Sequence, residues 1–87
     1  MSYELRFARS AEAYLSRLDR RTQERMARTL RAIAASPFGH GTKPLTNAGR
    51  FRAARVGTWR IVYLVDEHAG VVRVETIGPR GQVYRDL

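Results

Sequence analysis

The chain has no cysteine and only two histidines, His40 and His68, and these two shortages narrow its chemistry at once. Without thiols there is no disulfide, no thiolate nucleophile and no cysteine-based zinc site, a composition compatible with a reducing cytosol. Lysine is nearly missing as well. Lys43 is the single one, so the basic complement of 16 is otherwise arginine. Acidic residues number only eight, and Asp66 and Glu67 fall in the turn-like stretch "DEHAG", which gives little support to a paired-carboxylate site. The longest apolar run, "IVYLV", is far short of a membrane span, and "MSYELRFARS" has no apolar core of the secretory-leader kind. "GHGTK" meets neither the phosphate-loop nor the dinucleotide-binding spacing. The expectation is a soluble cytoplasmic protein with no metal, no cofactor and no membrane partner.

What is present is positive charge. A formal net charge of +8 on 87 residues points to a polyanionic partner, because arginine suits two-pronged contact with phosphate. The bland alternative is a solvated arginine-rich surface. Apolar residues make up 44% of the chain, enough for one modest core and not for two, so residues 1–87 read as a single domain.

The periodicity gives the elements. "SYELRF" alternates Tyr3, Leu5 and Phe7 against polar residues, as a half-buried strand does. Ser10 is a candidate N-cap for a short helix with Ala11, Tyr14, Leu15 and Leu18 on one stripe. Asp19 or Thr22 can cap a second helix that places Met26, Leu30 and Ile33 on one face and Arg21, Arg25 and Arg28 on another, with Glu24 spaced to pair with Arg28. Ser36-Pro37 ends it, since the residue before proline disfavours the helical region. The stretch "SPFGHGTKPLTNAGR" reads as a long loop. Strands are expected at roughly 50–56, 59–66 and 71–77, with a further short strand in the tail. The order β-α-α-β-β-β(-β) predicts an α+β fold, an antiparallel sheet with a helical hairpin packed on one face.

A two-residue turn at Gly57-Thr58 would pair Val56 with Trp59 and Arg55 with Arg60. One face of that ribbon is then Ala54, Val56, Trp59, Ile61, Tyr63 and Val65, the natural floor for the helices. The other carries Phe51, Ala53, Val62 and Leu64 at one end and the two arginines at the other. Like charges directly opposite are destabilising, so either both side chains splay into water or an anion sits against them. Arg52 has two placements: strict alternation puts it beside Tyr63 on the helix side, and a bulge at Ala53-Ala54 would turn it to the arginine side. His40 and His68 lie in a loop and a turn, where solvent exposure is the default. Lys43 can reach a phosphate from its loop or simply stand in water. Arg80 and Tyr84, four apart, share a face if the tail is extended; alone, Tyr84 reads as a half-buried anchor.

Taken together, "YELRF", a helical hairpin ending in "SP", "KPL", "RVGTWRIVY" and "IGPRGQVY" resemble the RelE/ParE superfamily of bacterial toxins over nearly the whole chain. The resemblance implies a toxin of a type II toxin–antitoxin pair, held by a cognate antitoxin. RelE-like members are ribosome-dependent mRNA endonucleases that need no metal; ParE-like members inhibit DNA gyrase. By motif, Arg60, Arg80 and Tyr84 match the RelE-like catalytic positions, which favours that branch with ribosome and mRNA as partners and gyrase as the alternative. Arg52 joins the catalytic set if it faces the site, and Arg55 and Lys43 are expected to bind substrate. Arg52-Ala53-Ala54-Arg55 stands where many members carry basic-x-basic.

Overall fold

The computed structural model describes residues 2–45 and 49–79. In chain order the elements are β1 (Glu4–Phe7), α1 (Arg9–Ser16), α2 (Arg20–Ala35), β2 (Thr42–Pro44), β3 (Arg52–Val56), β4 (Trp59–Asp66) and β5 (Val71–Pro79). The α+β class and the helical hairpin on one face are as expected. The sheet is mixed, however: its order is β1-β5-β4-β3-β2, and β1 runs parallel to β5 while the other neighbours are antiparallel. Alternation in "YELRF" predicts a strand but says nothing about its neighbour or direction. Those are settled by packing, because the register Leu5↔Val72 and Phe7↔Val74 adds the two apolar side chains of β1 to the core face.

α1 is only eight residues long, too short to persist alone in water. It starts two residues earlier than the Ser10 cap predicts, with Ala8 at the N-cap. Its order comes from burial: Ala11 is fully buried and Tyr14, Leu15 and Leu18 pack against the core. The Gln23 side chain donates to the Leu15 carbonyl (2.9 Å) and ties the end of α1 to α2. α2 begins after Asp19, buries Thr22, Met26, Leu30, Ile33 and Ala34, and stops at Ser36, whose backbone (φ −151°, ψ 80°) has left the helical region that a following proline disfavours. On its exposed side Glu24 pairs with Arg20 (3.7 Å), the residue four before it, and not with Arg28. The Tyr3 N–H donates to the Ala34 carbonyl (2.7 Å), satisfying one of the acceptors that a helix end leaves over.

The main core lies between the hairpin and the sheet. Met26, Leu30 and Ile33 meet Ala54, Val56, Ile61, Tyr63, Val72, Val74 and Ile77. A β-bulge between β4 and β5 shifts the register from Val62↔Thr76 to Tyr63↔Val74 and leaves Glu75 as the extra residue. On the uncovered face Arg6 and Arg73 stand opposite each other, and each is neutralised from its own strand: Glu4 bonds Arg6 and Glu75 bonds Arg73, both at 2.8 Å. That hydrogen bond and the charge of Arg6 hold the Glu4 carboxyl below its usual range. A lowered carboxylate pKa contributes stability above the unfolded value and loses it as the pH falls through the folded one. Glu4→Gln should therefore be slightly less stable than wild type at neutral pH and indistinguishable from it at strongly acidic pH, as thermal melts at the two pH values would show.

Candidate functional site

The β3–β4 hairpin has the expected register, Val56↔Trp59 and Arg55↔Arg60. Its turn depends on Gly57, whose φ of +58° costs a side-chain-bearing residue about 1–2 kcal/mol. A Cβ there would also come within 2.8 Å of the Arg25 guanidinium, which reaches across from α2 to the turn. Gly57→Val should lower the unfolding free energy by at least that amount in a denaturant titration.

Pairing carries the rows onward across the uncovered face. One row is Lys43, Ala53, Val62 and Thr76; the next is Arg55, Arg60 and Gly78. Ala53 and Val62 are buried there under Leu45 and Phe51, a small apolar cluster separate from the main core. Beside it opens a cavity of about 350 Å³ lined by Gly41, Thr42, Lys43, Ala53, Ala54, Arg55 and Arg60. Lys43 and Arg55 are exposed, whereas Arg60 is only 4% exposed and donates to the Trp59 carbonyl (3.4 Å). No acidic side chain is among the described residues lining the hollow. Three cations around small side chains make a receptor for a compact anion, and the low-dielectric wall strengthens the attraction.

Arg52 is placed elsewhere. It pairs with Tyr63 in strict alternation, no bulge interrupts β3–β4, and its side chain goes to the helix-side face, opposite to Arg55 and Arg60. There its Nη2 donates to Thr42 Oγ1 (2.8 Å) and its guanidinium lies 5.0 Å from the centre of the Phe38 ring. Thr42 Oγ1 donates in turn to the Gly39 carbonyl (2.8 Å), and Tyr63 Oη donates to the Pro37 carbonyl (2.7 Å). Arg52 and Tyr63 thus pin the segment leading from α2 into β2. Tyr63→Phe leaves the Pro37 carbonyl only the long contact from Thr42 Oγ1 (3.5 Å) and should cost about 1–2 kcal/mol in the same titration.

β2 falls inside the stretch that reads as a long loop in the sequence, and with it Gly41 and Thr42 become one wall of the hollow. The available signal was Pro44, tolerated in a strand only at a sheet edge, which β2 occupies. His40 and His68 are both exposed, and among the described residues no group of three or more His, Asp or Glu could hold a metal ion. Among those residues, too, no helix is long and apolar enough to cross a membrane. Arg80 and Tyr84 lie outside the described residues, as does the strand expected in the tail.

The model of a family described as the ParE toxin of type II toxin–antitoxin systems, parDE, matches residues 5–84. A search of curated proteins finds no match to the chain. Among solved structures, the chain is similar to the RelBE2 toxin–antitoxin complex of Mycobacterium tuberculosis, with a TM-score of 0.80 at 24% identity over 92% of this chain and 100% of that one. It is similar also to the RelE–RelB complex of Pyrococcus horikoshii OT3, with a TM-score of 0.79 at 21% identity over 94% and 99%. The isolated RelE toxin of E. coli gives 0.80 at 24% identity over 98% and 94%. At these identities the likeness is one of fold.

Proposed function

The chain belongs to the family of ParE toxins of type II toxin–antitoxin systems, and from that premise we propose that it acts as a RelE-like, ribosome-dependent mRNA endonuclease. The observation that supports this reading is the convergence of Lys43, Arg55 and Arg60 on one hollow of about 350 Å³, free of acidic side chains among the described residues. RNA brings its own nucleophile. The 2′-OH attacks the adjacent phosphorus, the bond to the 5′-oxygen breaks, and the products are a 2′,3′-cyclic phosphate and a 5′-OH. A protein that cuts in this way has to align the two oxygens and neutralise the growing charge on the phosphoryl oxygens.

Arg60 and Arg55 supply that neutralisation, and Lys43 holds a neighbouring phosphate oxygen. By motif, Arg80 is assigned to the leaving oxygen and Tyr84 to proton removal from the 2′-OH. A phenol has an ordinary pKa of about 10, and guanidinium groups gathered round the same phosphate would favour its ionised form. Arginine is a poor proton donor because it stays charged. So weak an acid–base set is sufficient only when the substrate arrives already bent into line, which the ribosomal A site would provide. Such an enzyme works in the cytoplasm.

Inhibition of DNA gyrase is the second reading, favoured by the ParE description of the matching family. Under it the basic face binds a protein and no bond in RNA is cut. Both readings include a cognate antitoxin. Its support here is that similar structures were solved as toxin–antitoxin complexes, and a chain of charge +8 calls for an acidic segment to cover it. Primer extension on translated mRNA after induction decides between the two. Discrete cuts within open reading frames are expected; a DNA-damage response with intact mRNA would overturn the nuclease.

A further inference from the structure

A second basic cavity lies on the helix side of the sheet. It measures about 290 Å³ and is bounded by Arg28, Thr29, Ala32 and Ile33 of α2, by His40, Gly41 and Thr42, and by Ala54 and Arg55 of β3. Four of these residues, Gly41, Thr42, Ala54 and Arg55, also line the hollow on the uncovered face. The two spaces therefore adjoin. The reason is the shortness of β2: its last pair is Thr42↔Ala54, so among the described residues no strand continues alongside β3 at Arg55. Gly41 forms the sill. Its φ is +87°, and a Cβ on it would meet nothing within 4 Å, so the surface at this position stands open among the described residues.

We infer that a single-stranded RNA entering the uncovered face wraps over this sill at Arg55, and that Arg28 and His40 bind the next phosphate on the helix side. The inference rests on the proposal that the hollow takes an RNA strand, and adds a subsite to it. Arg28 offers a guanidinium fork suited to phosphate, and the imidazole of His40 presents an N–H donor in either protonation state. Ala32 and Ile33 give the opposite wall an apolar surface for a ribose edge. Arg55, reaching both spaces, is the residue the two phosphates share. An acidic peptide is the less suited occupant, because it carries charge only where its sequence places Asp or Glu. A nucleic-acid strand carries a phosphate at every backbone step and so supplies one to each of two adjoining basic spaces.

The test uses the full chain and a fluorescein-labelled nine-nucleotide single-stranded RNA carrying 2′-O-methyl groups at every position, so that no 2′-OH is present to attack and the strand is not cut. Anisotropy titrations at several salt concentrations compare wild type with Arg28→Ala/His40→Ala and with Arg17→Ala, an exposed arginine that lines neither cavity. All substituted positions are exposed, so folding is preserved. The double variant is expected to bind about tenfold more weakly and to show a salt dependence of log affinity shallower by about 0.7 for each phosphate it no longer neutralises. Arg17→Ala should stay within about twofold of wild type, the scale of an exposed surface charge. Equal losses in the double variant and the control overturn the subsite, as does the absence of RNA binding by wild type. So does a loss confined to an acidic peptide of matching charge, which would assign the cleft to a protein. Cleavage is scored separately by primer extension. RNA binding that depends on Arg28 and His40 without cleavage keeps the subsite and discards the nuclease; cleavage with no effect of the double variant does the reverse.

Discussion

Arg60→Ala is expected to lower cleavage of ribosome-bound mRNA a hundredfold or more, the effect of removing one donor aimed at developing charge, about 3–4 kcal/mol of barrier. Arg60 is the position where this loss should be largest. Its side chain is almost wholly out of water, so its charge acts through protein more than through solvent, and it stands between Arg55 and Gly78 where the row gives it room. Arg55 and Lys43 are exposed, their charges are screened, and their replacement should cost less. Emptying a buried position also disturbs packing, so a second variant is needed. Arg60→Lys keeps a cation but loses the planar fork and is expected to fall between wild type and alanine. Thermal melts of both variants separate folding from chemistry. A folded Arg60→Ala that cuts at the wild-type rate would remove the hollow from the mechanism.

The largest loss of stability should follow Ile61→Ala. Ile61 is fully buried, paired with Ala54 on one side and Ile77 on the other, at the centre of the face that meets α2. Both neighbours are fixed by the sheet, so the void cannot collapse, and a cost of about 3 kcal/mol is expected within the range for such truncations. For a domain of this size that corresponds to a fall in Tm of roughly 12–24 °C, measurable by circular dichroism. The same melt on Val65→Ala, a half-buried position at the far end of β4, should show a much smaller shift. Comparable shifts at the two sites would mean that the core is not centred where the packing of α2 on β4 puts it.

Much of this was legible in the sequence, and for definite reasons. Alternation from Phe51 to Val65 placed Arg55 and Arg60 together on the uncovered face, because the Gly57 turn fixes the register and a one-residue slip would bury both charges under the helices. The stripe Met26, Leu30, Ile33 located the buried side of α2 for the same kind of reason. Three things were not legible. The direction of β1 depends on a partner some 67 residues away, and nothing local in "ELRF" records it. The bulge falls at Glu75 and not at Ala53-Ala54, so Arg52 keeps strict alternation and serves as a prop for residues 37–42. And β2, three residues ending in proline, is too short for any periodicity to announce it.

The pairing of β1 with β5 has a kinetic side. Residues 4–7 are synthesised before 71–79, yet among the described residues they have no sheet neighbour until those later ones arrive. Contacts so distant along the chain exact their loop-closure entropy before returning any stability, which slows folding relative to a fold built from local pairs. A nascent chain halted before Val71 would carry an orphan first strand and a β4 with one bare edge. The five-stranded sheet, and any harm it can do to the cell that makes it, must wait for β5 to emerge.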